Sequence, residues 1–252
     1  MTVYVVLVDP PLESVVRETF IESTDMPMSF LTDLYQAIQQ DAIQAVIDSG
    51  GDLLINYRPP DQHPVADDHD IESTIRSMAE AVDGCEDPRM EIQVGSNRSA
   101  RIGNAITHLL ETEDHETVAV LDGRAPLLRR TELDSLAMKL RRHDIIIGPG
   151  TNCEVAIAGF RDTIDFTHAF QPPALNSLVE QSVEDGYEID FLHETIYLTD
   201  KADLLDLIPI ITARQQAGRI VPPHTTAVID AYDLSISVEN DTLHLEIQTD
   251  KS

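Results

Sequence analysis

Val3-Tyr4-Val5-Val6-Leu7-Val8, followed at once by Asp9-Pro10-Pro11, sets the architecture of the chain. An unbroken apolar run rich in valine offers both of its faces for burial, and the prolines end it, so it reads as a central parallel strand. Outward from this strand, Leu31, Leu34, Tyr35, Ile38, Ala42, Ala45 and Val46 recur at three- and four-residue spacing between Ser29 and Asp48, and Gly50-Gly51 stands where a C-cap belongs. That spacing predicts an amphipathic helix. Asp52 to Arg58 then reads as a second strand, closed by Pro59-Pro60. The same alternation predicts helices over 71–82, 99–111 and 131–142, the last capped by Glu132, and strands over 89–94, 117–121, 144–150 and 153–159. Alternating strands and helices imply a mostly parallel sheet with helices on its faces.

Beyond this core, Pro172-Pro173 opens a helix that runs to Gly186, and Tyr187 to Leu192 reads as a strand. Lys201 to Gly218 reads as a helix bent at Pro209. Pro222-Pro223 breaks the chain, after which Ala227–Tyr232, Leu234–Glu239 and Thr242–Gln248 alternate like exposed strands, the last two turning at Asn240-Asp241. The expected organisation is one domain over 1–222 and a C-terminal hairpin extension over 223–252.

The 252 residues carry 45 Asp and Glu against 17 Lys and Arg, a formal net charge of -28. Neutralising nucleic-acid phosphates or anionic lipid takes clustered cations, so neither is an expected partner. Only Lys139, Lys201 and Lys251 among the basic residues are lysine, and the acids are spread along the whole length. Spread acid with arginine in place of lysine suggests a halophile, because at molar salt the Debye length falls to ~3 Å and self-repulsion is screened. An acidic surface that meets a basic partner is the other reading. No apolar run reaches the ~20 residues of a membrane span, and the start shows no signal-peptide pattern, so a cytoplasmic location is expected. Cys85 and Cys153 stand far apart, which fits neither a disulfide framework nor a zinc site.

In open α/β sheets ligands bind beyond the carboxyl ends of the strands, which directs attention to Asp9–Arg17, Asp122–Pro126 and Gly148–Glu154. The glycine patterns of Rossmann and P-loop sites are absent, as are a His-Glu-x-x-His helix and a Gly-x-Ser-x-Gly elbow. Gly148-Pro149-Gly150 by itself reads as a tight turn between strands. Asp67-Asp68-His69-Asp70 offers hard oxygen ligands without the spacing of a known cation cage. Arg129, Arg130, Arg141 and Arg142 flank one helix, where they complement its dipole and neighbouring acids or receive a phosphate.

Gly148-Pro149-Gly150-Thr151-Asn152-Cys153-Glu154-Val155-Ala156-Ile157-Ala158-Gly159-Phe160 resembles, without a gap, the pattern Gly-Pro-Ala-x-Asp-Gly-Gly-Tyr-Tyr-Leu-Ile-Gly-Leu. That pattern belongs to bacterial and archaeal glycosyltransferase-A-like proteins known as a domain of unknown function, kin of nucleotide-diphospho-sugar transferases and 2-phospholactate guanylyltransferase. The likeness runs from about Thr2 to Arg219. Leu121 to Leu128 occupies the place of Gly-x-Asp-x-Pro-x-Leu, Ser99 to Ile102 looks like Gly-Glu-Arg-Met and keeps Arg101, and Tyr197 to Leu204 looks like Asp-x-Asp-Thr-x-x-Asp-Leu. The resemblance implies a three-layer glycosyltransferase-A-like α/β domain, with a nucleotide pocket on the first strand's loop and a divalent cation that neutralises a diphosphate leaving group.

The departures fall on those functional positions. The family's opening Lys-x-Pro-x-x-Gly-x-x-Lys-Thr-Arg corresponds here to Asp9, Pro11, Ser14, Arg17, Glu18 and Thr19, in which only Arg17 keeps a positive charge. The metal-binding acid is replaced by Arg124, with Asp122 two residues earlier; Asn152, Cys153 and Glu154 replace Asp-Gly-Gly; and of the later acids Asp203 remains. The resemblance therefore implies a nucleotide or nucleotide-sugar site at Asp9, Pro11, Arg17, Arg101 and Asn152. Mg or Mn would be taken by Asp122, Glu154 or Asp203, while Arg124 and Asp122 serve the chemistry, Arg124 offsetting leaving-group charge. The alternative is a non-catalytic binding or assembly subunit, a homodimer paired through the edge of the C-terminal hairpin.

Overall fold

The computed structural model describes residues 1–20, 26–63 and 70–247. Strand β1 (Thr2–Val8) lies inside the sheet, with β2 (Asp52–Tyr57) and β4 (Thr117–Asp122) pairing parallel to it on either side. The order across the seven strands is β3-β2-β1-β4-β6-β5-β7, where β3 is Arg89–Ile92, β5 Ile145–Pro149, β6 Val155–Phe160 and β7 Ile189–Phe191. Strand β6 runs antiparallel to both β4 and β5, the short 150–154 connection leaving no room for a crossover.

The period-two geometry of β1 divides its side chains between two cores. Tyr4, Val6 and Val8 face one cluster with Ala42, Ile43 and Val46 of α2 (Met28–Ser49), Ile75 of α3 (Ile71–Glu80) and Leu133 and Leu136 of α5 (Arg130–Lys139). Val3 and Val5 face the other, with Ile102 and Ile106 of α4 (Arg98–Thr107) and Leu178 of α6 (Ala174–Glu184). This is a helix–sheet–helix sandwich, as expected. Gly50 ends α2 in the left-handed region at φ 71°.

A third apolar cluster lies off the sheet. A short helix α1 (Glu13–Thr19), in a stretch read as loop, packs Val15 and Val16 against Phe30 and Leu34 of α2, Leu204 and Leu207 of α7 (Lys201–Gln216), and Ile229. Ile229 belongs to α8 (Pro223–Ala231), so the expected strand at Ala227–Tyr232 is corrected to a helix. Its threonines and valine suggested a strand, but Thr225, Thr226 and Ile229 are the buried positions, a helical spacing, and Pro223 suits the first helical turn. The hairpin is shorter than expected: β8 (Ser235–Glu239) pairs antiparallel with β9 (Thr242–Glu246). Asn240 (φ 49°) and Asp241 (φ 61°) make the turn, as a two-residue hairpin loop requires. Gln248 lies outside the described residues.

Pro222 has no side chain to cap α8, and Asp41 of α2 does so across the interface, its carboxylate accepting the backbone N–H of His224 at 2.9 Å and of Thr225 at 2.8 Å. Burial raises the Asp41 carboxyl from 3.8 to about 6, against the opposing hydrogen bonds from Thr225 and His224. Its folded value exceeds its unfolded one, so its contribution is fully present below about pH 4 and is lost as pH rises through about 6. Between about pH 4 and pH 7 the wild type should lose ~2–3 kcal/mol relative to Asp41→Asn, measured by paired denaturant titrations. An unchanged difference would contradict this assignment.

Candidate functional site

The carboxyl ends of β1, β2 and β4 open onto a cavity of about 320 Å³ lined by Asp9, Tyr35, Gln39, Arg58, Gln93, Arg98, Arg101, Asp122, Gly123, Arg124 and Thr199. Four arginines thus face one cleft in a chain with 17 basic residues and a net charge of -28. Strand ends supply Asp9, Arg58 and Asp122, and the first turn of α4 supplies Arg98 and Arg101. Gly123 lets the β4 turn close on β1: its N–H donates to the Leu7 carbonyl at 3.0 Å, and a Cβ there would stand 2.8 Å from Gln39 Cγ.

Asp122 is buried, and its two oxygens accept from five donors. Oδ1 takes the backbone N–H and the Nε–H of Arg124, both at 3.0 Å; Oδ2 takes Arg98 Nη2 at 2.8 Å, Arg124 Nη2 at 3.2 Å and the Tyr197 hydroxyl at 2.7 Å. Arg124 also donates to the Tyr197 hydroxyl, and its guanidinium carbon lies 4.6 Å from the Tyr197 ring centroid. Burial pushes the Asp122 carboxyl up, but the charges of Arg124 and Arg98 and the hydrogen bonds of Arg124 and Tyr197 prevail and hold it well below the usual carboxylate range. Burial likewise opposes charge on Arg124, and Asp122 overrides it.

The opposite wall is a second ion pair. Arg58 Nε and Nη2 donate to Asp9 at 2.7 and 3.1 Å, the backbone N–H of Asp9 donates to Gln39 Oε1 at 2.7 Å, and Glu18 stands 3.7 Å from Arg58. Arg101 differs from its neighbours. Among the described residues it donates to amide oxygens, Gln93 Oε1 at 2.9 Å and Gln62 Oε1 at 3.0 Å. Burial lowers its pKa, and the nearby charges of Arg58 and Arg98 lower it further against the pull of Asp9. Both Arg98 and Arg101 also stand at the start of α4, where the helix dipole favours anions. In this corner of the cleft Arg98 is paired with Asp122, while Arg101 is hydrogen-bonded to no carboxylate among the described residues.

The expected residues separate into groups. Asp9, Arg101, Asp122 and Arg124 share the cavity. Pro11 and Arg17 line another cavity with Ser29 and Asp33, where Arg17 is exposed and 3.8 Å from Glu13. Asn152 donates to Thr199 Oγ1 at 3.0 Å and to Asp203 Oδ1 at 3.2 Å, outside the cleft. Asp203 is occupied as a cap of α7, accepting from Thr151 Oγ1, Thr199 and the Asp200 N–H. Glu154 lines a neighbouring cavity of about 300 Å³ that shares Arg98 with the first. The acids expected to hold metal are therefore dispersed, and no cluster of three or more metal-ligating side chains occurs among the described residues. A divalent cation does not fit this donor set, since Asp122 has its lone pairs filled and two guanidiniums beside it. Asp67, Asp68 and His69 lie outside the described residues; Asp70 caps α3 through the Ser73 N–H at 3.0 Å.

Arg58, Arg98 and Tyr197 were not singled out as site residues from sequence. The rule that points to strand ends reaches Arg58, directly after Tyr57. Arg98 stands one residue before the quoted Ser99–Ile102 motif. Tyr197 opens the quoted Tyr197–Leu204 motif in the place of an Asp, but its role rests on a contact with β4 across 75 residues that spacing does not show.

No family model matches the chain. No curated protein matches it either. Among solved structures, it is similar to a protein from Desulfovibrio desulfuricans G20 described provisionally as a nucleotide-diphospho-sugar transferase, at 19% identity over 92% of this chain and 95% of that one, with a TM-score of 0.72. It is also similar to 4-diphosphocytidyl-2C-methyl-D-erythritol synthase from Anaerococcus prevotii DSM 20548, at 13% identity over 82% of this chain and 93% of that one, with a TM-score of 0.50. At such identities the likeness is one of fold. The chain has the nucleotide-diphospho-sugar transferase fold, a seven-strand mostly parallel sheet to which a C-terminal hairpin is added.

Proposed function

We propose that the cleft binds the phosphates of a nucleotide or nucleotide-sugar, and that the protein is a glycosyl- or nucleotidyltransferase with altered site chemistry. The observation that carries this reading is Arg101: a cation inside the cleft, at a helix N-terminus, held by two neutral amides and hydrogen-bonded to no carboxylate among the described residues. Such a group is suited to a phosphate oxygen, which adds a charge-assisted hydrogen bond of ~1.5–3 kcal/mol. Arg58 and Arg98 flank it, Asp9 fixes Arg58, and Arg124 on Asp122 offsets charge on a leaving group. Arg17 and Pro11, in their separate cavity, stand apart from this set.

Calorimetric titration in molar KCl against nucleoside diphosphates, triphosphates and nucleotide-diphospho-sugars tests the reading. Binding tighter than about 100 μM, near -5.5 kcal/mol, is expected for at least one donor. A second reading, a non-catalytic binding or assembly subunit, is favoured by the saturation of Asp122, which leaves no carboxylate there for proton transfer. Its assembly surface would be the hairpin, where the cross-strand pair Val238 and Leu243 is exposed. Silence across the panel together with a dimeric mass would favour that reading over the first.

A further inference from the structure

We propose that the Arg98–Asp122–Arg124 cluster stands where a divalent cation would act, so that this cleft takes a diphosphate group without Mg or Mn. The inference rests on the nucleotide reading above and adds how the charge is met. The three side chains alone carry one net positive charge; Glu154, across the neighbouring cavity, also acts on Arg98 but makes no hydrogen bond to it. That charge is fixed in place: Asp122 holds Arg124 through Nε and Nη2 and Arg98 through Nη2, and Tyr197 bonds the same carboxylate oxygen. A dication brought here would meet two cations and a carboxylate whose acceptor sites are spent, whereas an anion would meet preorganised donors. Arg98 has donor capacity to spare, since its Nε–H is buried without a hydrogen-bond partner. It also stands in the wall between the cavities of about 320 and 300 Å³, and so can present donors on two sides. Its 31% side-chain exposure leaves part of the guanidinium open to a ligand.

The test is titration of the full chain with inorganic pyrophosphate and with the nucleoside diphosphates of the panel, once in EDTA and once in excess Mg or Mn. The expected result is binding in EDTA that the metal leaves within about threefold or weakens, because metal and protein compete for the same phosphate oxygens. Binding that appears only with the metal, or is strengthened about tenfold or more by it, would overturn the cation-free proposal while keeping the nucleotide reading. Binding in neither condition would overturn both. Arg98→Gln should lower affinity in EDTA by about tenfold or more, with Arg98→Lys intermediate because it keeps charge without the planar fork. Affinity unchanged in either folded variant would remove Arg98 from the site, and Arg98→Lys serves alone if Arg98→Gln fails to fold.

Discussion

Asp122→Ala is expected to destabilise the protein by about 3 kcal/mol, the low end of what breaking a buried ion pair costs. The substitution leaves Arg98 and Arg124 facing one another with no carboxylate between them, removes the acceptor of the Arg124 backbone N–H, and strands the Tyr197 hydroxyl. The estimate stays at the low end because the two arginine side chains keep 31% and 23% exposure and can turn partly to water. Asp122→Asn should lose nearly as much, since an amide has one acceptor oxygen where the carboxylate has two. The pH dependence has a definite sign. The folded-state pKa of Asp122 is depressed, so its contribution is present above the unfolded value of about 3.8 and is lost as pH falls below it. Wild type and Asp122→Ala should therefore differ most near neutrality and converge in acid, by denaturant midpoints at matched pH. Equal stability near neutrality would mean that the cluster is not the electrostatic anchor of the cleft.

Arg101→Gln is expected to do the reverse: to weaken binding of a phosphate-bearing ligand by about tenfold to a hundredfold while leaving stability within ~0.5 kcal/mol. Among the described residues Arg101 has no hydrogen-bonded carboxylate whose burial would be left uncompensated. Its removal also relieves repulsion from Arg58 and Arg98, the charges that lower its pKa after burial. Its ties to Gln93 and Gln62 are neutral and can be remade by a glutamine side chain or by water. Calorimetry with the tightest nucleotide of the panel, paired with thermal melts, separates the two effects. A loss of stability without a loss of affinity would make Arg101 a structural residue.

The sandwich was legible because its signals are local and periodic. Val3 to Val8 declares a strand buried on both faces, the apolar ladder from Leu31 to Val46 declares one long helix, and Asn240-Asp241 declares a hairpin turn. Helix α8 was not, because Thr225, Thr226, Val228 and Ile229 are β-branched, and what holds them helical is the third core and the cap from Asp41, a residue far upstream. The candidate site was half legible. The strand-end rule and the motif around Ser99–Ile102 led to Asp122, Arg124 and Arg101. Within Gly148–Phe160, Cys153, standing where the pattern has its first glycine of the pair, takes φ 59°, the left-handed conformation glycine adopts most readily, whereas Glu154, standing at the second, has φ -84°. Spacing could not say that Asp122 is closed off by five donors, because Arg98 and Tyr197 reach it from elements distant in sequence; the capping box of Asp200 and Asp203 at the start of α7 is local, a three-residue spacing of acids that went unread.

The most direct measurement is a crystal structure of the protein with the tightest-binding nucleoside diphosphate, grown in EDTA. The account predicts a diphosphate in the cleft at the ends of β1, β2 and β4, its oxygens on Arg98 and Arg101, with Arg124 still on Asp122. A nucleotide bound elsewhere, or one in this cleft whose phosphates turn away from Arg98 and Arg101, would contradict it.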